Sequence, residues 1–407
     1  MNRQNASSKI AKDHADYDIA IIGGGPVGLA FAAALKDSGL KLCLIEKQAE
    51  APLARPDYDG RDIALTHSAL KILQDLGIAA HIPAKEISPI RQASVMNGTS
   101  FYALNFDSRD EGQEALGYLV SNHLVRKAAY DTVKGRRGLD LRTGVEVTGI
   151  ETGEARNTVH LSKGGTVAAS LVVAADSRFS TSRRMMGIPV GMRDFGRTVI
   201  VARMKHEKPH DQIAYECFHY GRTLAVLPLN GNVCSVVVTL PSDQAAGLLA
   251  MPMEEFNRDL TERFGEKLGA MKLMTERHSY PLVATYADRF VGHRFALLGD
   301  AAVGMHPVTA HGYNFGLYGI RALSGKIHEA LSVGLDIGSP VLLERFNKTH
   351  RKTTLPIYLG TNAIVSLYTD ERPAAKRARS AGLRLGNFAK PFKRMITRQL
   401  TQTEMVA

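Results

Sequence analysis

The hydrophobic positions near the amino terminus form short uninterrupted runs separated by a glycine turn and a helical segment. Residues 18–22 and 41–45 are apolar runs of strand length, and the small, apolar residues 29–35 lie between them. A strand, a turn, a helix and a second strand in this order are typical of the βαβ unit of a parallel sheet. The pattern therefore predicts an α/β fold at the start of the chain.

Further along the chain, the pattern predicts a second region that consists mostly of strands. Alternating apolar and polar residues indicate strands within residues 79–118. The other predicted elements are helices at 67–76, 121–134 and 253–264, a loop at 51–61, and strands at 139–141, 144–147, 158–161, 171–175, 199–202, 212–217, 224–227, 233–239 and 295–298. We infer that a β-sheet substrate domain is inserted into a Rossmann-like domain. The expected boundaries are 1–78, 119–185 and 285–345 for the Rossmann-like domain, 79–118 and 186–284 for the substrate domain, and 346–407 for C-terminal helices with a basic amphipathic tail.

A glycine motif follows the first predicted strand and opens the first predicted helix. Gly23, Gly25 and Gly28 form the pattern GxGxxG, in which the glycines permit a tight turn, close approach of a pyrophosphate, and packing of helix on strand. The second strand ends at Glu46, whose carboxylate can accept hydrogen bonds from a ribose diol. An acid at this position indicates an unphosphorylated adenosine ribose. Because the motif occurs once, we expect one tightly bound dinucleotide.

A second segment with candidate chemistry extends from Gly299 to Gly316. The strand at 295–298 runs into Asp300, and the carboxyl ends of such strands are where open α/β sheets bind ligands. Gly312 opens a helix whose first N–H groups lack partners within the helix and suit an anionic or electron-rich ring. Taken alone, the segment fits a buried strand followed by an ordinary glycine-capped helix equally well. Combined with the amino-terminal motif, it favours a flavin-binding segment.

Composition and charge narrow the class of protein. The 407 residues are 44% hydrophobic, enough for a large core, and the three cysteines form no CxxC pair, which argues against disulfide reductases. Scattered cysteines and a polar amino terminus predict a cytoplasmic protein. We expect no transmembrane helix, because the uncharged run at 19–35 contains a glycine triplet and Pro26. No metal site is predicted.

The carboxyl-terminal tail is strongly basic. Of the net charge of +11, the last 38 residues contribute +6, with nine Lys/Arg and three Asp/Glu. Apolar residues recur there at helical spacing between basic ones: Leu385, Phe388, Phe392, Met395, Ile396 and Leu400, with Lys390, Lys393, Arg394 and Arg398. Such a helix docks on its own domain, rests on an anionic lipid surface or binds nucleic acid. The third alternative is disfavoured because no nucleic-acid-binding module is present, so we expect no nucleic-acid partner.

Several segments together resemble one family. They are Gly23–Gly28 with Glu46, residues 59–65, residues 116–122, Asp176 with Ser180 and Arg183, residues 225–229, and Gly299–Gly316. The chain resembles class A flavoprotein monooxygenases, and among them the ubiquinone-biosynthesis hydroxylases of the UbiH and UbiF type. The resemblance covers nearly the whole chain and implies an FAD-binding fold of the p-hydroxybenzoate hydroxylase type.

The resemblance also implies roles for individual residues. Gly23, Gly25 and Gly28 would bind the FAD pyrophosphate, Glu46 the adenosine ribose, Arg61 the phosphate region and Asp300 the ribityl chain, while Pro307, Gly312 and Asn314 would border the isoalloxazine; Asn122 belongs to the same cofactor-binding set. His311 is the candidate for proton transfer beside the ring, with a purely structural imidazole as the alternative.

Three positions depart from the family pattern. Ser177 follows Asp176 where the family has glycine, Val303 replaces a histidine, and His311 replaces a glutamine. The departure at Ser177 bears on how the protein uses a nicotinamide cofactor. The sequence Thr309-Ala-His-Gly312 is similar to the UbiM branch of the family.

The function implied by the resemblance is hydroxylation of a polyprenyl phenol or quinol in ubiquinone biosynthesis, such as 5-demethoxyubiquinol. It would use FAD, O₂ and NAD(P)H or another electron donor, and would proceed through a flavin C4a-hydroperoxide. A membrane-soluble substrate would fit a peripheral position on the inner face of the membrane and membership of a biosynthetic complex. The alternatives are a flavin-dependent isoprenoid reductase and a non-catalytic quinone-binding scaffold.

Overall fold

The structure is a computed structural model that describes residues 14–97, 103–219, 221–305, 311–369 and Arg372. Its described strands form three sheets. The first has eight strands: β1 (His14–Ile22), β2 (Leu42–Glu46), β8 (Leu139–Thr143), β9 (Val147–Glu151), β10 (Asn157–Leu161), β11 (Thr166–Ala174), β18 (Val291–Gly292) and β19 (Phe295–Leu297). The central order β19-β11-β1-β2-β8 is parallel throughout. This is the α/β arrangement that the apolar runs predict, and the fold class is confirmed.

The second sheet has nine strands and is mostly antiparallel. It contains β5 (Gln92–Asn97), β6 (Ala103–Asp107), β12 (Val190–His206), β13 (Ile213–His219), β14 (Arg222–Pro228), β15 (Val233–Pro241), β16 (Met271–Leu273), β17 (His278–Ala287) and β20 (Val303–Gly304). A third sheet joins β3 (Asp62–Leu65), β7 (Gly117–Ser121) and β4 (Ser88–Ile90). The predicted segment 79–118 therefore contributes strands to two sheets. The predicted domain boundaries stay a prediction.

Nine α-helices lie within the described residues. They are α1 (Pro26–Ala34), α2 (Glu50–Ala54), α3 (His67–Asp75), α4 (Asn122–Val133), α5 (Thr181–Met185), α6 (Ala245–Ala250), α7 (Met253–Arg263), α8 (Gly312–Ser332) and α9 (Pro340–Thr369). Short 3₁₀ turns cover Ala79–His81, Ala84–Glu86, Ser108–Glu111, Ser242–Gln244 and Gly299–Ala301. No helix in these ranges combines the length and the apolar sequence that a membrane span requires.

Two apolar cores correspond to the two large sheets. The larger one joins the parallel sheet to the helices on it, and its fully buried members include Phe31, Val172 and Phe315. The smaller one lies between one face of the nine-stranded sheet and α6 and α7, and its buried members include Val236 and Phe256. The second large sheet thus has one face covered by its own helices.

Most predicted elements are present, but three local predictions are wrong. The strand expected at 144–147 begins at Val147, because Gly144 adopts a φ of +65° in a turn whose N–H donates to the Gln48 carbonyl, 2.7 Å away. The loop expected at 51–61 contains α2, and α6 was not predicted. Both helices have only five or six residues, too few for a helical period to show.

Candidate active site

The carboxyl ends of four parallel strands lie side by side at one edge of the eight-stranded sheet. Ile22 of β1 pairs with Ala174 of β11 and Ile45 of β2, and Ala174 pairs with Leu297 of β19. The segments that follow these strands carry the glycine motif, Glu46, Asp176 and Asp300. Ligands of open α/β sheets bind at such an edge. Asp300 of the second sequence segment therefore follows a strand at the same sheet edge as the glycine motif and Glu46.

The glycine turn after β1 is closely packed on one side and open on the other. A Cβ on Gly23, whose φ is +109°, would lie 2.5 Å from the Ala175 carbonyl oxygen, and one on Gly28 would lie 1.9 Å from the Gly23 oxygen. These two positions require glycine. A Cβ on Gly25 would meet no described atom within 4 Å. The backbone at Gly25, before the first turn of α1, is thus accessible to a phosphate group.

Glu46 holds the glycine turn in place. Its carboxylate accepts hydrogen bonds from the Gly24 N–H at 2.6 Å and from the Gln48 N–H at 2.8 Å, and the residue is 8% exposed. Each carboxylate oxygen has a second lone pair that these bonds leave unused. Glu46 is therefore placed to orient the turn and to accept a further hydrogen bond from a ribose hydroxyl.

Val27, in the first turn of α1, contacts the second glycine segment. A Cβ on Gly299 would lie 3.0 Å from Val27 Cγ2, and one on Gly316 would lie 2.8 Å from the same atom. Gly299 also has a φ of +58°. The two glycines thus allow the turn after β19 and helix α8 to approach α1 closely. This packing joins the amino-terminal motif and the segment Gly299–Gly316 in one site.

Asp300, after β19, is paired with an arginine that the sequence did not indicate. Arg178 donates to Asp300 Oδ2 from Nη2 at 3.1 Å and from Nε at 3.3 Å, and its Nη1 donates to the Val283 carbonyl at 2.7 Å. Buried Arg183 donates to the Ala301 carbonyl at 2.7 Å. Two arginines after β11 therefore fix the turn that carries Asp300.

Asp176 and Ser177 follow β11 at the same edge. Asp176 Oδ2 accepts the Ser182 N–H at 3.1 Å, whereas its buried Oδ1 meets no hydrogen-bond donor among the described residues. Ser177 has a φ of +98°, a conformation that favours glycine. The departure noted at position 177 thus places a serine in backbone geometry suited to the family's glycine.

The amino terminus of α8 is held by Asn314. The Asn314 side chain accepts the Thr66 N–H at 3.1 Å and donates to the Ala64 carbonyl at 2.9 Å, which ties α8 to β3 and α3. A Cβ on Gly312 would meet no atom of the described residues within 4 Å, so none of them fills the space beside this position. His311 is buried at the N-cap, with its ring 5.6 Å from that of Phe315. Pro307 lies outside the described residues.

Arg61 and Asn122 meet through Asp59. Arg61 Nη2 lies 2.5 Å from Asp59 Oδ2, which also accepts a hydrogen bond from Asn122 Nδ2 at 2.6 Å. Burial opposes ionisation of Asp59, but the hydrogen bonds and charge of Arg61 outweigh it, and the pKa of Asp59 is lowered. The Arg61 guanidinium also lies 5.2 Å from the Tyr280 ring centroid. Sequence reasoning missed Asp59 as the partner that joins these two residues.

Comparison with known proteins identifies the family of the chain. A family profile described as an FAD binding domain matches residues 16–350. Over 388 residues the chain is 45% identical to the ubiquinone hydroxylase UbiM of Neisseria meningitidis, a match that spans 94% of this chain and 84% of that protein. The chain belongs to the FAD-dependent ubiquinone hydroxylase family. The resemblance to its UbiM branch is confirmed.

Other members and solved structures agree with this assignment. The ubiquinone hydroxylase UbiL of Rhodospirillum rubrum is 35% identical over 95% of this chain and 90% of that protein. The crystal structure of p-nitrophenol 4-monooxygenase PnpA from Pseudomonas putida has a TM-score of 0.76 at 18% identity, covering 96% of this chain and all of that one. The structural similarity to PnpA establishes the fold.

The described residues fit the family's cofactor. Backbone accessible at Gly25 suits a pyrophosphate, Glu46 has lone pairs for a ribose, and the first turn of α8 at Gly312 suits an electron-rich ring. The buried Asp176 Oδ1 leaves one further acceptor for a ligand hydroxyl. FAD is the cofactor of this family, and the protein is an FAD-dependent monooxygenase.

Proposed function

We propose that the protein hydroxylates the aromatic ring of a polyprenyl phenol or quinol in ubiquinone biosynthesis. The observation that carries this proposal is the 45% identity to a ubiquinone hydroxylase over 94% of this chain. The open glycine turn and the helix terminus at one sheet edge support it independently, because a scaffold without a cofactor has no need of them.

We further propose the residues that hold FAD. Gly23, Gly25 and Gly28 bind the pyrophosphate, Glu46 the adenosine ribose, Arg61 the phosphate region and Asp300 the ribityl chain, while Pro307, Gly312 and Asn314 border the isoalloxazine. Asn122 belongs to the same cofactor-binding set. For Asn314 the hydrogen bonds to Thr66 and Ala64 support a positioning role, since its amide is already engaged by backbone groups. The N–H groups of the first turn of α8 stabilise negative charge near Gly312.

FAD, once reduced by NAD(P)H or another electron donor, supplies the activation of O₂. The residues of the chain must orient the phenol ring, exclude water and accept or direct the proton that the phenol loses. His311, buried at the start of α8, is our candidate for proton transfer, with a structural imidazole as the alternative. If His311→Ala with FAD retained leaves turnover and its pH profile unchanged, His311 has only the structural role.

The function is tested in cells and in vitro. A strain that lacks this gene should accumulate an under-hydroxylated quinone precursor, identified by mass spectrometry of extracted lipids. The purified protein should bind FAD and couple O₂ consumption to hydroxylation of that precursor. Reduction of an isoprenoid double bond without O₂ consumption would favour the reductase, and absence of flavin binding would favour the scaffold.

We also propose peripheral binding to the cytoplasmic face of the membrane, with association in a biosynthetic complex. The support is the basic amphipathic sequence of residues 385–400, which lies outside the described residues, and the membrane solubility of the substrate. Deleting residues 384–407 should weaken binding to anionic liposomes. Unchanged binding by a folded, FAD-loaded variant would rule out the tail as the membrane contact.

A further inference from the structure

The nine-stranded sheet has one face covered by α6 and α7, and its opposite face is turned towards the FAD-binding half. We use this name for the eight-stranded sheet with its helices and the three-stranded sheet that contains β3. Two contacts establish this orientation. A Cβ on Gly60 would lie 2.7 Å from both Val201 and His278, and Arg203 Nη2 lies 2.5 Å from Asp62 Oδ1. Because Val201 and Arg203 share one face of β12, residues in register with them on neighbouring strands share that face too.

The register defines a row of side chains across this face. Moving from β17 through β12, β15, β14, β13 and β5 to β6, the paired residues are His278, Val201, Val237, Ala225, Glu216, Val95 and Leu104. Between His278 and Leu104, Glu216 is the one ionisable member. The row is otherwise a continuous apolar strip on the side of the sheet that faces the cofactor-binding half.

Most neighbours of Glu216 on this face are apolar. Its neighbours along β13 are Ala214 and Phe218. Ala93 lies opposite Ala214 on β5, and Thr223 lies opposite Phe218 on β14. Other charged and titratable groups that the register places on this face stand on β12, β16 and β17, separated from β13 by β14 and β15. They include Arg203, which is paired with Asp62, together with Arg197, Lys205, Lys272, His278 and Tyr280. The Arg197 side chain donates to the Gly221 carbonyl, 3.2 Å away.

Within the described part of the chain, neither a hydrogen-bond donor nor a cation engages the Glu216 carboxyl group. Burial is the cause that raises its pKa to about 8, so the group is mostly protonated at neutral pH. The residue is half-buried and not sealed in the core. A protonated carboxyl group without a protein partner, in apolar surroundings, can donate a hydrogen bond to a ligand.

We propose that Glu216 is a specificity-determining residue that donates a hydrogen bond to an oxygen substituent of the substrate ring, while the apolar row contacts the ring and its prenyl chain. This inference rests on the proposed function. A prenyl phenol has an apolar body and few polar groups, as the apolar row has Glu216 as its one ionisable member. Leaving either polar group without a hydrogen bond inside the protein costs free energy, so the two are expected to pair. Loss of that hydrogen bond should weaken substrate binding more than it slows turnover.

Three variants of the FAD-loaded full-length protein test the proposal with a water-dispersible short-chain prenyl phenol. Glu216→Leu should raise KM by about tenfold, the loss of one buried hydrogen bond, with FAD content retained. Glu216→Gln keeps a donor of the same size and should restore most of the affinity. Glu262→Leu makes the same chemical change on the exposed side of α7 and should leave KM unchanged.

The pH dependence supplies a second readout that a structural role would not alter. In the wild type KM should rise above about pH 8 as the carboxyl group ionises and ceases to donate, whereas Glu216→Gln should lack that rise. An unchanged KM in Glu216→Leu, or the same pH profile in wild type and Glu216→Gln, would overturn the proposal. If Glu216→Leu does not fold, the pH dependence of KM in Glu216→Gln decides whether the proposal holds. A wild type that hydroxylates no prenyl phenol would instead refute the proposed function and this inference with it.

Discussion

Ser177 is the residue at which the site carries backbone strain. Its φ of +98° is rare for any residue with a Cβ, and such conformations cost on the order of 1–3 kcal/mol. Glycine removes this strain but loses more chain entropy on folding, so we expect Ser177→Gly to raise the free energy of unfolding by about 1 kcal/mol. Urea denaturation measures the difference, and Ser177→Ala, which keeps a Cβ, is the matched control. Equal stability of the two variants would mean that position 177 is unstrained.

His350 on α9 makes stability depend on pH. It is buried, stacks on Phe346 and lies 5.4 Å from the Phe290 ring, and burial lowers its pKa from 6.5 to about 4. The unfolded chain binds this proton at the ordinary histidine pKa of 6.5, whereas the folded protein binds it only near pH 4. The stability that His350 contributes above pH 6.5 is therefore lost as the pH falls towards 4. Between about pH 7 and about pH 5 we expect this residue to account for a loss of about 2 kcal/mol.

The His350 prediction is checked by urea denaturation at both pH values. Whatever its effect on stability at neutral pH, His350→Leu should reduce the loss of unfolding free energy between these pH values by about 2 kcal/mol. His81→Leu removes an exposed imidazole and should leave the pH dependence as it is in the wild type. The same pH dependence of stability in His350→Leu and the wild type would show that folding does not lower the pKa of His350.

At the scale of elements, the contact between α1 and α8 determines the cofactor site. An alanine at Gly316 would place its Cβ 2.8 Å from Val27 Cγ2, so the Val27 side chain or one of the two helices must shift. Overpacking costs about 1–3 kcal/mol, which outweighs the gain of up to about 1 kcal/mol in helix propensity. We expect Gly316→Ala to weaken FAD binding by about tenfold, measured by flavin fluorescence on titration of the apoprotein.

Gly325, on the same helix, provides the control for this substitution. A Cβ there would meet no described atom within 4 Å, so Gly325→Ala should stabilise the protein slightly and leave FAD affinity unchanged. Adding Val27→Ala to Gly316→Ala should recover part of the affinity. If Gly316→Ala binds FAD as the wild type does, close packing of α1 on α8 is not required for the site.

The elements of the FAD-binding half were predictable because their signals are local. Gly23, Gly28 and Glu46 lie within one βαβ unit, and each glycine is required by an atom of that unit or of the adjacent strand end. Arg178 and Asp300 are 122 residues apart, and no periodicity relates them. The sequence therefore indicated the residues that bind a cofactor but not the arginine that orients one of them.

At the scale of the whole molecule, the relative orientation of the two large sheets was not predictable from the sequence. Apolar alternation identifies the strands of the nine-stranded sheet, but both of its faces carry apolar residues. Polar contacts reveal which face meets the FAD-binding half: Arg203 with Asp62 and Ser121, and the Tyr280 hydroxyl, which donates to the Asp59 carbonyl at 2.5 Å. These contacts, between distant parts of the chain, position the row that contains Glu216.

The pair Arg203–Asp62 is a largely buried ion pair between the nine-stranded sheet and the three-stranded sheet. The Asp62 side chain is 0% exposed and that of Arg203 is 21% exposed, so removing either partner leaves a buried charge unpaired. We expect Arg203→Leu and Asp62→Leu each to lower the free energy of unfolding by about 3–5 kcal/mol. The double variant leaves no unpaired charge and should be more stable than either single variant. A double variant whose loss equals the sum of the single losses, measured by urea denaturation, would show that the two side chains act independently.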